Sequence, residues 1–175
     1  MQTYFKKTLF VITGLIIIGA SFFLAKSHIA DASSISGKVF GDWKILCTKD
    51  TKKDEICFLT QQVTTTKDDK VQVLATYQIG YFGKAKLLQM IQILPLGINL
   101  PAGTSIISNS KLLALGKFTT CTSAGCEAIS TISGEDLQTI LSNSNNFLGI
   151  INGAGNQVNL PFSTNGLKEG IEALK

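Results

Sequence analysis

From Val39 to the C-terminus, apolar and polar residues alternate in short runs that glycines, prolines and charged clusters interrupt. Alternation with a period of two marks a strand buried on one face. It places Val39, Trp43, Ile45 and Cys47 on an inner face and turns Asp42 and Lys44 outward. The mixed-charge stretch Thr48 to Glu55 reads as a solvated hairpin loop, and Ile56–Thr66 returns as the second strand. Beyond the turn Lys67-Asp68-Asp69-Lys70 comes the most regular alternation in the chain. Val71, Val73, Ala75, Tyr77 and Ile79 are set against Gln72, Thr76 and Gln78, which predicts five side chains pointing into one core.

Lys86–Leu94 admits two patterns. Leu87, Leu88, Met90, Ile91 and Leu94 fit a helical stripe, while the bounding glycines and Pro95 suit a strand buried on both faces. Nine residues are short for a helix, so the prediction is a strand. Pro95-Leu96-Gly97 and Pro101-Ala102-Gly103 then form turns. Ser105–Asn109, Leu112–Thr119 and Cys126–Ile132 are further strands. Ser133 can cap a helix over Gly134–Leu141, and Glu135 and Asp136 in its first turn read as capping charges rather than an acid pair for catalysis. Phe147–Ile151 and Val158–Phe162 flank Gly153-Ala154-Gly155-Asn156, a hairpin turn too short for a phosphate-binding loop. An amphipathic helix over Gly166–Leu174 would turn Leu167, Ile171 and Leu174 inward. Together these elements predict an all-β sandwich of short antiparallel strands with one or two short C-terminal helices.

Ahead of that single domain, residues 33–175, stands a different kind of segment. Lys6 and Lys7 precede an 18-residue uncharged run from Thr8 to Ala25, and Ala30-Asp31-Ala32 is an A-x-A site before Ser33. Residues 1–32 therefore read as a signal peptide cut between Ala32 and Ser33. The alternative is an uncleaved membrane anchor, since 18 mostly apolar residues just reach spanning length. Either reading delivers the domain outside the cytoplasm.

The chain's net charge of +4 changes little, because three of its lysines lie in that leader. No basic stripe remains to suggest a nucleic-acid partner. The chain has no arginine, and its one histidine, His28, is in the leader. Catalysis through a histidine, histidine metal ligation and guanidinium clamps are all missing from the domain. A carboxylate hydrolase stays open as an alternative, with Asp42 the one acid set in a strand beside an aromatic. Trp43 itself is expected in the core rather than as a surface anchor.

All four cysteines, Cys47, Cys57, Cys121 and Cys126, lie in the exported part, which suggests disulfides. Three pairings are possible. Cys47–Cys57 and Cys121–Cys126 are the expected pairs, because each is local and can close early across a turn, each worth about 2–3 kcal/mol in the chain-entropy model. A long bridge would be worth roughly 4–5 kcal/mol by the same arithmetic, so energy alone does not choose. Spacings of nine and four intervening residues fit neither a paired-CxxC zinc site nor a thioredoxin-type redox site.

Ordered pieces of the sequence resemble the invasion-associated locus B family of exported bacterial proteins. They are Phe40-Gly41-Asp42-Trp43 with Cys47, Cys57-Phe58-Leu59 running into Gln61-Gln62, Leu94-Pro95-Leu96-Gly97 through Leu100-Pro101-Ala102-Gly103, Cys121-Thr122-Ser123-Ala124-Gly125-Cys126, and Leu160-Pro161-Phe162. Ser123 stands where the family pattern has proline. The resemblance implies an envelope-associated or secreted protein of Gram-negative bacteria, linked to invasion of host cells or survival within them. It implies no catalytic residue, cofactor or metal. The expected function is non-enzymatic contact with a protein partner, in the envelope or on the host cell, from the periplasm, the outer surface or the medium. A periplasmic accessory or chaperone-like role is the alternative, and membrane contact is expected only through an uncleaved leader.

Overall fold

Each alternating segment of the sequence finds an antiparallel partner. The structure, a computed structural model, describes residues 35–49 and 53–175. The leader 1–32, the expected cleavage site at Ala32 and Ser33, and residues 50–52 of the charged loop lie outside the described residues. The strands are β1 (Val39–Phe40), β2 (Trp43–Lys49), β3 (Glu55–Lys67), β4 (Lys70–Phe82), β5 (Leu87–Leu94), β6 (Thr104–Ser108), β7 (Lys111–Thr122), β8 (Gly125–Thr131), β9 (Asn146–Ile151) and β10 (Gln157–Pro161). Two short helices are added, α1 (Gly134–Leu141) and α2 (Leu167–Ala173).

Among the described residues the strands join in one sheet, in the order β1-β2-β3-β4-β5-β8-β7-β6-β9-β10. Consecutive hairpins build β1 to β5, and the pairing of β5 with β8 joins the second half. The sheet folds back on itself, so that Tyr77 of β4 reaches Leu160 of β10 and the two halves enclose a common core. Trp43, Ile45, Leu59, Tyr77 and Ile79 come from the first half, and Ile106, Leu148 and Leu160 from the second. The fold is the expected all-β class with short helices. In α1, Ser133 caps as anticipated: its hydroxyl accepts from the Asp136 N–H at 3.0 Å and donates to the Asp136 carboxylate at 2.6 Å. In α2, Leu167 and Ile171 are buried and Leu174 packs at the margin of the core.

Lys86–Leu94 resolves as strand β5, with Met90, Gln92 and Leu94 directed inward. Gln92 is fully buried. Its amide donates to the Met90 carbonyl at 2.8 Å and the Ser130 hydroxyl at 3.0 Å, and its Oε1 accepts from the Thr104 hydroxyl at 2.9 Å. A buried polar side chain is tolerable when its hydrogen-bonding groups are met in this way.

Two inward assignments are corrected. Val39 is 66% exposed, because β1 pairs it with Lys44 and so gives it the outer face that Lys44 occupies. Val71 and Val73 are 72% and 46% exposed. Between β3 and β4 the register slips: Val63 faces Ala75, but Thr64 faces Val73, leaving Leu74 as the extra residue of a bulge. A slip of one residue exchanges the faces of everything beyond it. Ala75, Tyr77 and Ile79 stay in the core and the two valines leave it.

Candidate functional site

The residues singled out in the sequence gather in two places, a closure between the two ends of the sheet and a pair of hairpin staples. At the closure, among the described residues, no ladder joins the first strands to the segment after β10, and side-chain bonds together with a main-chain bond do the joining. The Trp43 indole N–H donates to the Ser163 carbonyl at 2.8 Å. Gln61 accepts from the Ser163 N–H at 2.9 Å and donates to the Asp42 carbonyl at 3.4 Å. The Asp42 N–H donates to the Asn165 carbonyl at 3.1 Å. Deeper in, the Tyr77 hydroxyl donates to the Leu160 carbonyl at 3.1 Å, and its ring meets Phe162 edge-on at 5.7 Å. Burial pushes the Tyr77 phenol above its ordinary value, so it stays a neutral donor.

Phe40-Gly41-Asp42-Trp43 thus forms the turn on which the C-terminal segment docks. Gly41 and Gly166 both have positive φ, +53° and +77°, and each lies against the other segment's backbone. A Cβ on Gly41 would meet the Asn165 carbonyl oxygen at 2.5 Å, and one on Gly166 would meet the Phe40 carbonyl oxygen. Glycine is needed at both points for this close approach.

Asp42, the acid considered for hydrolysis, is one arm of this closure. Its Oδ2 accepts from the Ser163 hydroxyl at 2.6 Å, and that hydroxyl accepts from the Asn165 N–H at 3.0 Å. The arrangement fastens a turn: acceptor, hydroxyl and backbone N–H are linked in series. Glu135 and Asp136 serve the start of α1. Trp43 is fully buried, as its place in the strand predicts.

The staples are Cys47–Cys57 and Cys121–Cys126, the two local pairings. Each joins residues directly opposite in the ladder, the first across β2 and β3, the second across β7 and β8. Glu55 lies with the first pair in a cluster whose ligand atoms fall within 4.8 Å of one another. Sulfurs bonded to each other are not thiolates, so this trio offers a metal only one carboxylate. An open cleft of about 560 Å³ runs beside Cys57, with Tyr81 and Lys86 in its wall.

One surface was not anticipated. Beyond the bulge, β3 and β4 continue as a two-stranded arm in which every residue from Thr64 to Val73 is exposed. Asp68 and Asp69 both have positive φ, the conformation of a tight two-residue hairpin turn. Thr64 with Val73 and Thr66 with Val71 make cross-strand pairs, so one face of the arm is wholly β-branched. The only signal in the sequence was the run Thr64-Thr65-Thr66, which is rich in strand formers and poor in core residues. Ser163 and Asn165 of the closure gave no signal, and Gln61 stood out only within the family resemblance.

With this geometry in hand, comparison with known proteins is informative. The sequence profile of the family described as invasion associated locus B (IalB) protein matches residues 43–175. A crystal structure of invasion associated protein b from Bartonella henselae has a similar fold, with a TM-score of 0.65 at 16% identity over 78% of this chain and 92% of that one. No curated protein matches the sequence.

Proposed function

The chain belongs to the invasion associated locus B family, and from that premise we propose that it is an exported, non-enzymatic protein of the bacterial envelope or surface that acts through protein–protein contacts. The exposed β3–β4 arm is the observation that carries this reading. It spends ten residues, Thr64 to Val73, on a structure that adds nothing to the core. Two disulfides support an oxidising compartment. The leader read from residues 1–32 supplies the route, and the family name supports a role in invasion of host cells or survival within them.

Protease accessibility on intact cells, compared with cells whose outer membrane has been opened, tests the placement. Digestion on intact cells is expected for direct host contact. Protection until the outer membrane is opened would move the role to a periplasmic accessory component. Catalysis has its own test: an Asp42→Asn variant should fold and function normally. Lost function with the fold intact would turn the reading toward a carboxylate hydrolase.

A further inference from the structure

Strand β5 accompanies β4 only as far as the pair Thr76–Ile93. Leu94 ends β5, and Pro95, which has no N–H to donate, follows it. From Leu74 back to Val71, β4 therefore has β3 on one side and, among the described residues, no backbone partner on the other. In an antiparallel strand alternate residues aim their N–H and C=O away from the existing partner. This stretch is a short open edge.

Proteins commonly guard such edges with charge, proline or a covering segment. At the far edge of the sheet, the end of β10 is guarded. Pro161 of β10 lacks an N–H, and the Leu160 carbonyl is taken by the Tyr77 hydroxyl. The β4 edge instead carries Val71 and Val73, both exposed, and its lysines and aspartates are confined to the turn at Lys67–Lys70.

We infer that the Val71–Leu74 edge of β4 receives an extended segment of a protein partner as an added antiparallel strand, in line with β5 and continuing the β4–β5 ladder. This deepens the proposed contact function, on which it rests, by stating the form in which the partner binds. The free edge begins where an established ladder stops, so an incoming strand meets backbone groups already set at the right twist and spacing. Main-chain bonds give such a strand its binding, and β-branched neighbours suit alternate side chains. Interface size argues against a second copy as the occupant. So short an edge buries far less than the roughly 1,200 Å² of a stable dimer.

The test uses the purified protein and a capped peptide of alternating threonine and valine, with a second peptide N-methylated at every other amide. Binding of the first should slow hydrogen exchange at the β4 amides from Val71 to Leu74. The N-methylated peptide should bind at least about tenfold more weakly, because it keeps the side chains and loses ladder bonds. A Val71→Lys/Val73→Lys variant should weaken the first peptide similarly while melting like the parent. Absence of binding, equal binding of the methylated peptide, or protection along β10 instead would overturn the inference. So would concentration-dependent dimerisation of the free protein that the double substitution abolishes, since the occupant would then be a second copy. None of these outcomes depends on protease accessibility, so the edge and the cellular placement can fail separately.

Discussion

The two halves of the β3–β4 hairpin are made from similar residues and have opposite fates. In the inner half, Leu59, Ala75, Tyr77 and Ile79 are buried; in the outer half, Val71 and Val73 are in water. Both halves alternate, and both are rich in strand formers. The difference lies in what surrounds them. The inner half has β2 and β5 as neighbours and the C-terminal segment lying across it. The outer half begins at a bulge and runs past the ends of both flanking strands. Alternation therefore states that a segment can bury one face, and neighbours determine whether it does.

The largest test of that contrast is Trp43→Ala against Val71→Ala. The first should cost about 3–5 kcal/mol in urea unfolding, because it opens a cavity and strips the Ser163 carbonyl of its donor. The second should stay within about 0.5 kcal/mol. Comparable losses would show that the arm supports the core after all.

Removing the staples one at a time sharpens the comparison. Replacing both Cys47 and Cys57 with alanine should cost about 2.7 kcal/mol, and replacing both Cys121 and Cys126 about 2.1 kcal/mol, from the chain-entropy dependence on loop length. Reversal of that order would mean that the first bridge does little to hold β2 against the inner half of the hairpin.

Tyr77→Phe should come next, at about 1–3 kcal/mol, since it leaves the buried Leu160 carbonyl without its partner. It also carries a pH signature. Because the folded state holds the phenol above its ordinary value, the stabilisation is complete below the unfolded value of about 10 and is lost as pH rises beyond it. The parent should lose stability in that alkaline range, and Tyr77→Phe should lack this component in unfolding curves recorded against pH. The smallest effect belongs to the arm. Val71→Lys/Val73→Lys should change stability by no more than about 0.5 kcal/mol per substitution.

Much of the inner half could be read from residues alone, and so could α1. Trp43 in the core, the local disulfides and Ser133 at the helix start follow from spacing and type. The slip at Leu74 could not be read, because nothing in Val71-Gln72-Val73-Leu74-Ala75 marks which residue will lack a partner. Gln92 was hidden for a related reason. Its acceptability depends on Thr104 and Ser130, which the sheet brings to it from other strands. The closure was the least legible part. Ser163 meets Gln61 across 102 positions and Asp42 across 121, and neither spacing leaves a local pattern. Asp42 was noticed for its chemistry, and its place is explained by a turn it fastens.

The closure also bears on the order in which the chain can fold. Hairpins from β2 to β5 join neighbours in sequence and have little loop entropy to overcome. The indole of Trp43 must wait for Ser163, 120 residues later. Contacts of such range form slowly, since the intervening chain has to be brought together before they return anything. The first half of the sheet can thus be paired while its inner face is still open to water. The C-terminal segment acts as the last fastening, and resistance to proteolysis should rise late, when Ser163–Gly166 seats on Phe40–Trp43.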